Sequence, residues 1–162
     1  MFDLKFDSYL KFIFLVSLGS IISAYFIEYI LGFQPCNLCL IERIPYVLSM
    51  ILIIINYVFK KNEKFIILLL ILIFIFSLLI SFYHFGIEQG FFEESAVCGL
   101  KNSTNVITKE ELLKLFSEKS ISCKDVTFRV FGLSLTSINI MISLTIITML
   151  IKVYNTYEKI KS

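Results

Sequence analysis

The feature that most constrains this chain is a set of four long, nearly uncharged apolar runs, at residues 12–33, 44–59, 65–85 and 130–151. A helix rises about 1.5 Å per residue and the hydrocarbon core of a bilayer is about 30 Å thick, so apolar runs beyond about 18 residues read as membrane spans. The second run is short: sixteen residues reach only about 24 Å as a helix. Its helix is therefore expected to begin near Leu38 or Cys39, giving a span at about 40–59, with Pro45 near the start where a missing N–H costs least. The first run is expected to stay as a span. A cleaved signal sequence has an apolar region of about 7–15 residues behind a basic start, whereas this start carries Asp3 and Asp7. With 162 residues, 57% hydrophobic, and a mean hydropathy of +0.85, there is room for one membrane domain, 1–162, and little else. The expected fold is all-α, a four-transmembrane-helix bundle with a short outer loop at 34–43 and a long one at 86–129.

Charge placement gives the orientation. Lys5 and Lys11, the turn with Lys60, Lys61 and Lys64, and the tail with Lys152, Lys159 and Lys161 fall on one side. The other side holds Arg43 and the long loop, whose six Lys/Arg are matched by seven Asp/Glu. Basic loops stay cytoplasmic, so both termini and the middle turn are expected inside. All four cysteines then face outward, where thiols can be oxidised. No block of Lys/Arg with interleaved aromatics suggests nucleic acid, and no glycine-rich phosphate loop is present. In the long loop, Thr108-Lys109-Glu110-Glu111 fits a capping box opening a helix to about Lys119. That helix would pack on its own domain, lie on the membrane surface or meet a partner. Asn102-Ser103-Thr104 matches a glycosylation sequon too short to carry weight.

The chemistry concentrates in Pro35-Cys36-Asn37-Leu38-Cys39-Leu40-Ile41-Glu42-Arg43. On a helix, Cys36, Cys39 and Arg43 share one face, and a nearby cation or a helix N-terminus favours thiolate over thiol. A CxxC is also half of a zinc site, but zinc would want the second pair closely spaced, and Cys98 and Cys123 are far apart with no histidine near either; no metal is expected. Cys98–Cys123 also reads as a purely structural disulfide. Two dithiol pairs on one face can pass oxidising equivalents by thiol–disulfide exchange. The long loop would carry one pair to a soluble protein, while the pair at the bilayer is reachable only by a lipid-soluble acceptor. A quinone meets that requirement, and Arg43 would favour its developing negative oxygen. His84, the single histidine, reads first as an interfacial anchor, though its place on the outer face also allows a role beside Arg43. Glu28 and Glu42 read as balancing Arg43. Ser134, Ser137, Asn139 and Ser143 read as interhelical hydrogen-bonding groups, and the Phe and Ile stripes as core or lipid-facing.

Several of these segments together resemble the DsbB family, the disulfide-bond-formation proteins of bacterial inner membranes. The resemblance rests on Pro35-Cys36-Asn37-Leu38-Cys39 with Glu42-Arg43, then Tyr83-His84-Phe85-Gly86-Ile87-Glu88-Gln89-Gly90, then Cys98. It continues through Cys123-Lys124-Asp125-Val126 to Phe131-Gly132-Leu133-Ser134 and Asn139. It runs over nearly the whole chain in the family's order. The vitamin K epoxide reductase family has a similar bundle, but its loop cysteines precede its CxxC. The resemblance implies a multi-pass inner-membrane oxidoreductase with cytoplasmic termini and periplasmic cysteines. It would reoxidise a periplasmic DsbA-type thioredoxin-fold protein and pass the electrons to ubiquinone or menaquinone. It further implies that Cys98 forms the mixed disulfide with the partner and Cys98–Cys123 is the exchanging pair. Cys36–Cys39 would be the pair oxidised by quinone, Cys39 lying next to the ring, and a transient Cys36–Cys123 link would join the two pairs. Arg43 and His84 would be the quinone-site residues. The contrasting expectation is a non-catalytic four-span protein whose disulfides only hold its outer loop.

Overall fold

A computed structural model describes residues 2–58, 63–93, 98, 123–124, 128–130 and 132–161. The expected helix at 108–119 and the Asn102 sequon lie outside these residues. In chain order the elements are α1 (Phe2–Tyr29), α2 (Asn37–Ile41), α3 (Ile44–Val58), α4 (Glu63–Glu88), β1 (Arg129–Val130), β2 (Leu133–Ser134) and α5 (Leu135–Lys161). Among the described residues, four segments are helical, long and apolar enough to cross a membrane: Asp7–Tyr29, Asn37–Val58, Glu63–Glu88 and Leu135–Tyr157. The chain is a four-helix membrane protein.

Helix ends depart from hydropathy ends where backbone geometry, not polarity, stops the helix. The first apolar run continues to residue 33, yet α1 ends at Tyr29. Ile30 N and Leu31 N both turn back to the Phe26 carbonyl at 2.9 and 3.2 Å, and Gly32 takes a φ of +75° that side-chain-bearing residues rarely adopt. At the other end of the bundle the fourth helix begins at Leu135, not at Val130. Val130 instead pairs with Leu133, and Arg129 with Ser134, in a two-residue antiparallel ladder that Gly132 closes with a φ of +84°. Val130, Gly132 and Leu133 are thus spent on a hairpin that enters the helix through Ser134. The Ser134 Oγ accepts from Ser137 N at 3.2 Å as an N-terminal cap.

The second span is broken near its start. Cys36, extended at φ −72° and ψ 166°, caps the short α2 by accepting from Cys39 N at 3.3 Å. Glu42 and Arg43 then form a turn, with Glu42 N bonded to Leu38 O at 2.9 Å and Arg43 N to Leu40 O at 3.2 Å. Pro45 follows within the first turn of α3, where its absent N–H is not missed. The span taken as a whole, Asn37–Val58, begins ahead of the apolar run, although α3 itself starts at Ile44 after the turn.

Helix α4 packs along α5, and α3 packs against both α1 and α4, whereas α1 and α5 touch only sparingly. The main core joins all four long helices through Ile13, Ile53, Ile67, Phe74, Ile146 and Leu150. Buried serines let the backbones approach: Ser17 and Ser49 bond across α1 and α3 at 2.9 Å, and Ser143 donates to Ser77 across α5 and α4 at 3.3 Å. Leu15, Ile22, Phe76, Leu79 and Met141 face outward, as a bilayer-facing surface requires. A second, smaller buried cluster sits at one end of the bundle and consists of Cys36, Leu38, Ile87, Cys98 and Cys123, with Cys39 and Ile41 packed against it.

Candidate functional site

The sparse α1–α5 contact leaves a cavity of about 520 Å³ between those helices. Its α1 wall is small-residued, with Gly19, Ser20, Ser23 and Ala24. The sulfur cluster forms part of its wall. Cys36, Cys39, Arg43, His84 and Cys123 all line it, so five of the six residues singled out from sequence converge there. The sixth, Cys98, is joined to Cys123 by a disulfide and is buried beside Cys36. Cys36 and Cys39 are free thiols whose sulfurs lie 2.7 Å apart.

Cys36 sits just ahead of the second span and is held as a thiolate acceptor. The Cys39 S–H hydrogen bond is the main cause; His84 adds a second donor, Nε2, at 3.5 Å. Together they outweigh burial and bring the Cys36 thiol down to about 4.

His84 is buried within the protein: it is 2% exposed and is oriented from both sides. Its Nδ1 faces Glu42 Oε1 at 3.0 Å, and a carboxylate can only accept, which makes Nδ1–H the donor. Its Nε2 faces Cys36 and lies 3.9 Å from Glu88 Oε1. Asn139 holds Glu42 in turn: its Nδ2 donates to Glu42 Oε2 at 3.1 Å and to Ser81 Oγ at 2.7 Å, while Tyr46 OH donates to its Oδ1. Thr136 Oγ1 donates to Glu88 Oε1 and lies 3.4 Å from His84 Nδ1.

The two glutamates flanking Arg43 therefore divide the work. Glu28 takes Arg43 in an ion pair at 2.6 Å, with the guanidinium 5.1 Å from the Tyr25 ring centroid. Glu42 is turned away into the histidine network. The fourth-helix polar residues also divide. Asn139 and Ser143 bond across helices, whereas Ser134 and Ser137 bond locally, 3.0 Å apart, at the start of α5.

Sequence reasoning gave Glu88, Thr136, Ser81 and Tyr46 no part in the site. A signal for most of them was present. Ser77, Ser81, His84 and Glu88 recur at helical spacing in an otherwise apolar run, as do Thr136, Asn139 and Ser143. In the fold these stripes face each other, antiparallel, from Ser77–Ser143 to Glu88–Thr136.

The donor set has two chemical capacities. The cysteines can exchange disulfides, since a low thiol beside a second thiol and a disulfide is the arrangement that reaction needs. Cys36, Cys39 and His84 also place one potential metal-binding atom each within 4.8 Å of the others.

A relative in Rickettsia prowazekii (strain Madrid E), itself an uncharacterised protein, is 25% identical over 137 residues, covering 83% of this chain and 80% of the relative. The family model described as "Disulfide bond formation protein DsbB" matches residues 7–153, which take in the first three spans, most of the fourth and the whole sulfur cluster. The chain belongs to the DsbB family of disulfide-bond-formation membrane proteins.

Proposed function

We propose that this protein is a quinone-dependent thiol oxidase of the bacterial inner membrane that reoxidises a periplasmic DsbA-type dithiol protein. The observation that carries this reading is the packing of Cys36, Cys98 and Cys123 in one buried cluster that lines an intramembrane cavity. A relay needs its two dithiol pairs adjacent, and a scaffold with structural disulfides does not. The basic residues at both termini and in the 60–64 turn support cytoplasmic ends, with the cysteines periplasmic.

The cavity suits a quinone ring. It is within the size range of small-molecule sites, lies between two lipid-embedded helices with a small-residue wall, and sets polar groups, Arg43 and His84 among them, beside apolar ones. Ubiquinone and menaquinone satisfy these features equally. A bound quinone supplies a two-electron acceptor. One is required, because a DsbA-type partner has a potential of about −120 mV and each 30 mV is worth about 1.4 kcal/mol for two electrons.

The residues of this chain then have the following roles. A partner thiolate attacks Cys98, forming a mixed disulfide and releasing Cys123 as thiolate. The partner's second thiolate displaces Cys98, so the partner leaves oxidised and Cys98 and Cys123 are reduced. With Cys36–Cys39 in its disulfide form, Cys123 attacks Cys36 and Cys39 leaves as thiolate. Cys98 then displaces Cys36 from Cys123, restoring Cys98–Cys123 and leaving Cys36 and Cys39 reduced. Two electrons and two protons finally leave that pair. His84, held by Glu42, stabilises the Cys36 thiolate and can take a proton at Nε2. Arg43, fixed by Glu28, presents positive charge where a quinone oxygen gains electrons.

The test is anaerobic reduction of ubiquinone, and separately of menaquinone, by purified protein with a reduced DsbA-type donor. Wild type should turn over, and Cys39→Ser should not, while still trapping the donor through Cys98. Normal quinone reduction by Cys39→Ser would refute the assignment. No turnover in either protein with either quinone would favour a structural role for the disulfides.

A further inference from the structure

We infer that the dithiol form of the site is a binding site for a thiophilic divalent cation, typified by zinc, held by Cys36 Sγ, Cys39 Sγ and His84 Nε2. The sequence argued against such a site because zinc would want the second cysteine pair closely spaced, and Cys98 and Cys123 are far apart with no histidine near either. The fold supplies one from α4. Tetrahedral zinc with bonds of about 2.3 Å to sulfur and about 2.0–2.1 Å to nitrogen requires sulfur–nitrogen edges of about 3.5 Å and a sulfur–sulfur edge of about 3.8 Å. Cys36 Sγ and His84 Nε2 already lie 3.5 Å apart. The two sulfurs are 2.7 Å apart and must open by about 1 Å, a rotation available to the less buried Cys39.

Two independent features point to a cation. The far nitrogen of His84 donates to the Glu42 carboxylate at 3.0 Å, the outer-shell arrangement that orients most metal-binding histidines. Glu88 closes the remaining side, with Oε1 at 3.9 Å from His84 Nε2 and a side chain only 6% exposed. Its Oε2 is buried with no hydrogen-bond partner, on a residue that lines the same cavity as the two thiols and Glu42. Arg43, the guanidinium that lines the same cavity, is paired with Glu28 at 2.6 Å.

Binding moves no electrons. The Cys39 thiol and the proton that His84 Nε2 shares with Cys36 are released as two sulfur–metal bonds and one nitrogen–metal bond form, and Glu88 or a water takes the fourth position. A Cys36–Cys39 disulfide has no thiolate to offer, so metal and disulfide exclude each other. On the oxidase reading, and only on it, zinc traps the reduced site and blocks its reoxidation until a chelator removes the ion.

The test uses full-length protein in detergent with Cys98→Ala and Cys123→Ala, so that loop thiols contribute nothing. Reduced anaerobically, it should take up one Co²⁺ per chain with a thiolate-to-cobalt charge-transfer band, displaced stoichiometrically by Zn²⁺; the oxidised protein should take up none. Glu42→Gln should weaken zinc binding by about 10–100-fold, as outer-shell losses do, and His84→Gln by at least as much. Absence of a cobalt spectrum, or undiminished binding in a folded His84→Gln, overturns the site. Should that variant not fold, zinc-edge X-ray absorption on the parent decides. Two sulfurs with imidazole scattering support the assignment, and sulfurs without imidazole overturn it. No quinone enters these measurements, so failed turnover leaves the metal site standing, and failed metal binding leaves the oxidase standing.

Discussion

Removing the Glu42 carboxylate is the sharpest perturbation of the site that spares every sulfur. Glu42 is 8% exposed and accepts from His84 Nδ1 at 3.0 Å and Asn139 Nδ2 at 3.1 Å. Hydrogen bonds to a charged group contribute about 1.5–3 kcal/mol each. Neither donor is left bare by the loss, because Asn139 keeps Ser81 Oγ at 2.7 Å and His84 Nδ1 lies 3.4 Å from Thr136 Oγ1. The low end of the range therefore applies, and Glu42→Ala should destabilise the protein by about 3 kcal/mol. Glu42→Gln keeps one carbonyl acceptor and should lose about half of that. Equilibrium unfolding in mixed detergent micelles, followed by circular dichroism, measures both. Neutral interhelical hydrogen bonds in membranes average only about 0.6 kcal/mol. A loss of about 1 kcal/mol or less for Glu42→Ala would mean that the carboxylate acts as an ordinary acceptor, and the histidine-orienting role assigned to it would fall.

Three further outcomes are expected. With EDTA present, alkylation of Cys36 should be nearly independent of pH from about 5.5 upward and should slow only as pH falls towards the thiol's value of about 4; an ordinary thiol at about 8.5 would instead speed up tenfold per unit across that range, and such a profile would contradict the Cys39 and His84 hydrogen bonds. Arg43→Ala should raise the apparent KM for quinone several-fold while shifting stability by no more than about 1 kcal/mol, since its ion pair with Glu28 is partly solvated; an unchanged KM would remove Arg43 from the quinone site. A Cβ added at Gly86 would sit 2.2 Å from Phe92 Cδ2, whose ring stacks on Tyr83 with centroids 5.6 Å apart. Gly86→Ala should therefore cost about 1–3 kcal/mol as an overpacking change, and nearly nothing in a Phe92→Ala background; an equal cost in both backgrounds would rule out the clash.

The fold was legible because hydropathy and helix length are local properties. Four apolar runs became four helices, and the short second run had to borrow residues from the cysteine segment. What hydropathy does not register is backbone torsion. Gly32 and Gly132 end α1 and delay α5 through positive φ values inside apolar sequence, and so both boundaries moved. At the site, Cys36, Cys39 and Arg43 are close in sequence and were found together. His84 was not readable as buried, because its burial depends on α2 and α5 closing over the end of α4. Glu42 beside Arg43 looked like its counter-charge, yet the turn at 42–43 sends the two side chains to different partners, a choice no sequence adjacency reveals. The opposed polar stripes of α4 and α5 were visible as spacing, but their pairing needed the antiparallel register.

That register bears on how the protein is made. Helices reach the bilayer in the order of synthesis, and α5 comes last. Until it arrives, Ser77, Ser81 and Glu88 lack Ser143, Asn139 and Thr136, and Glu42 lacks Asn139. A three-helix intermediate would hold these polar side chains against lipid, a costly state that favours water defects, slippage or capture by proteases. Chains truncated before Leu135 should accordingly be short-lived in cells even though three spans and the whole CxxC segment are present. Only a chain that includes α5 can satisfy the polar stripe of α4.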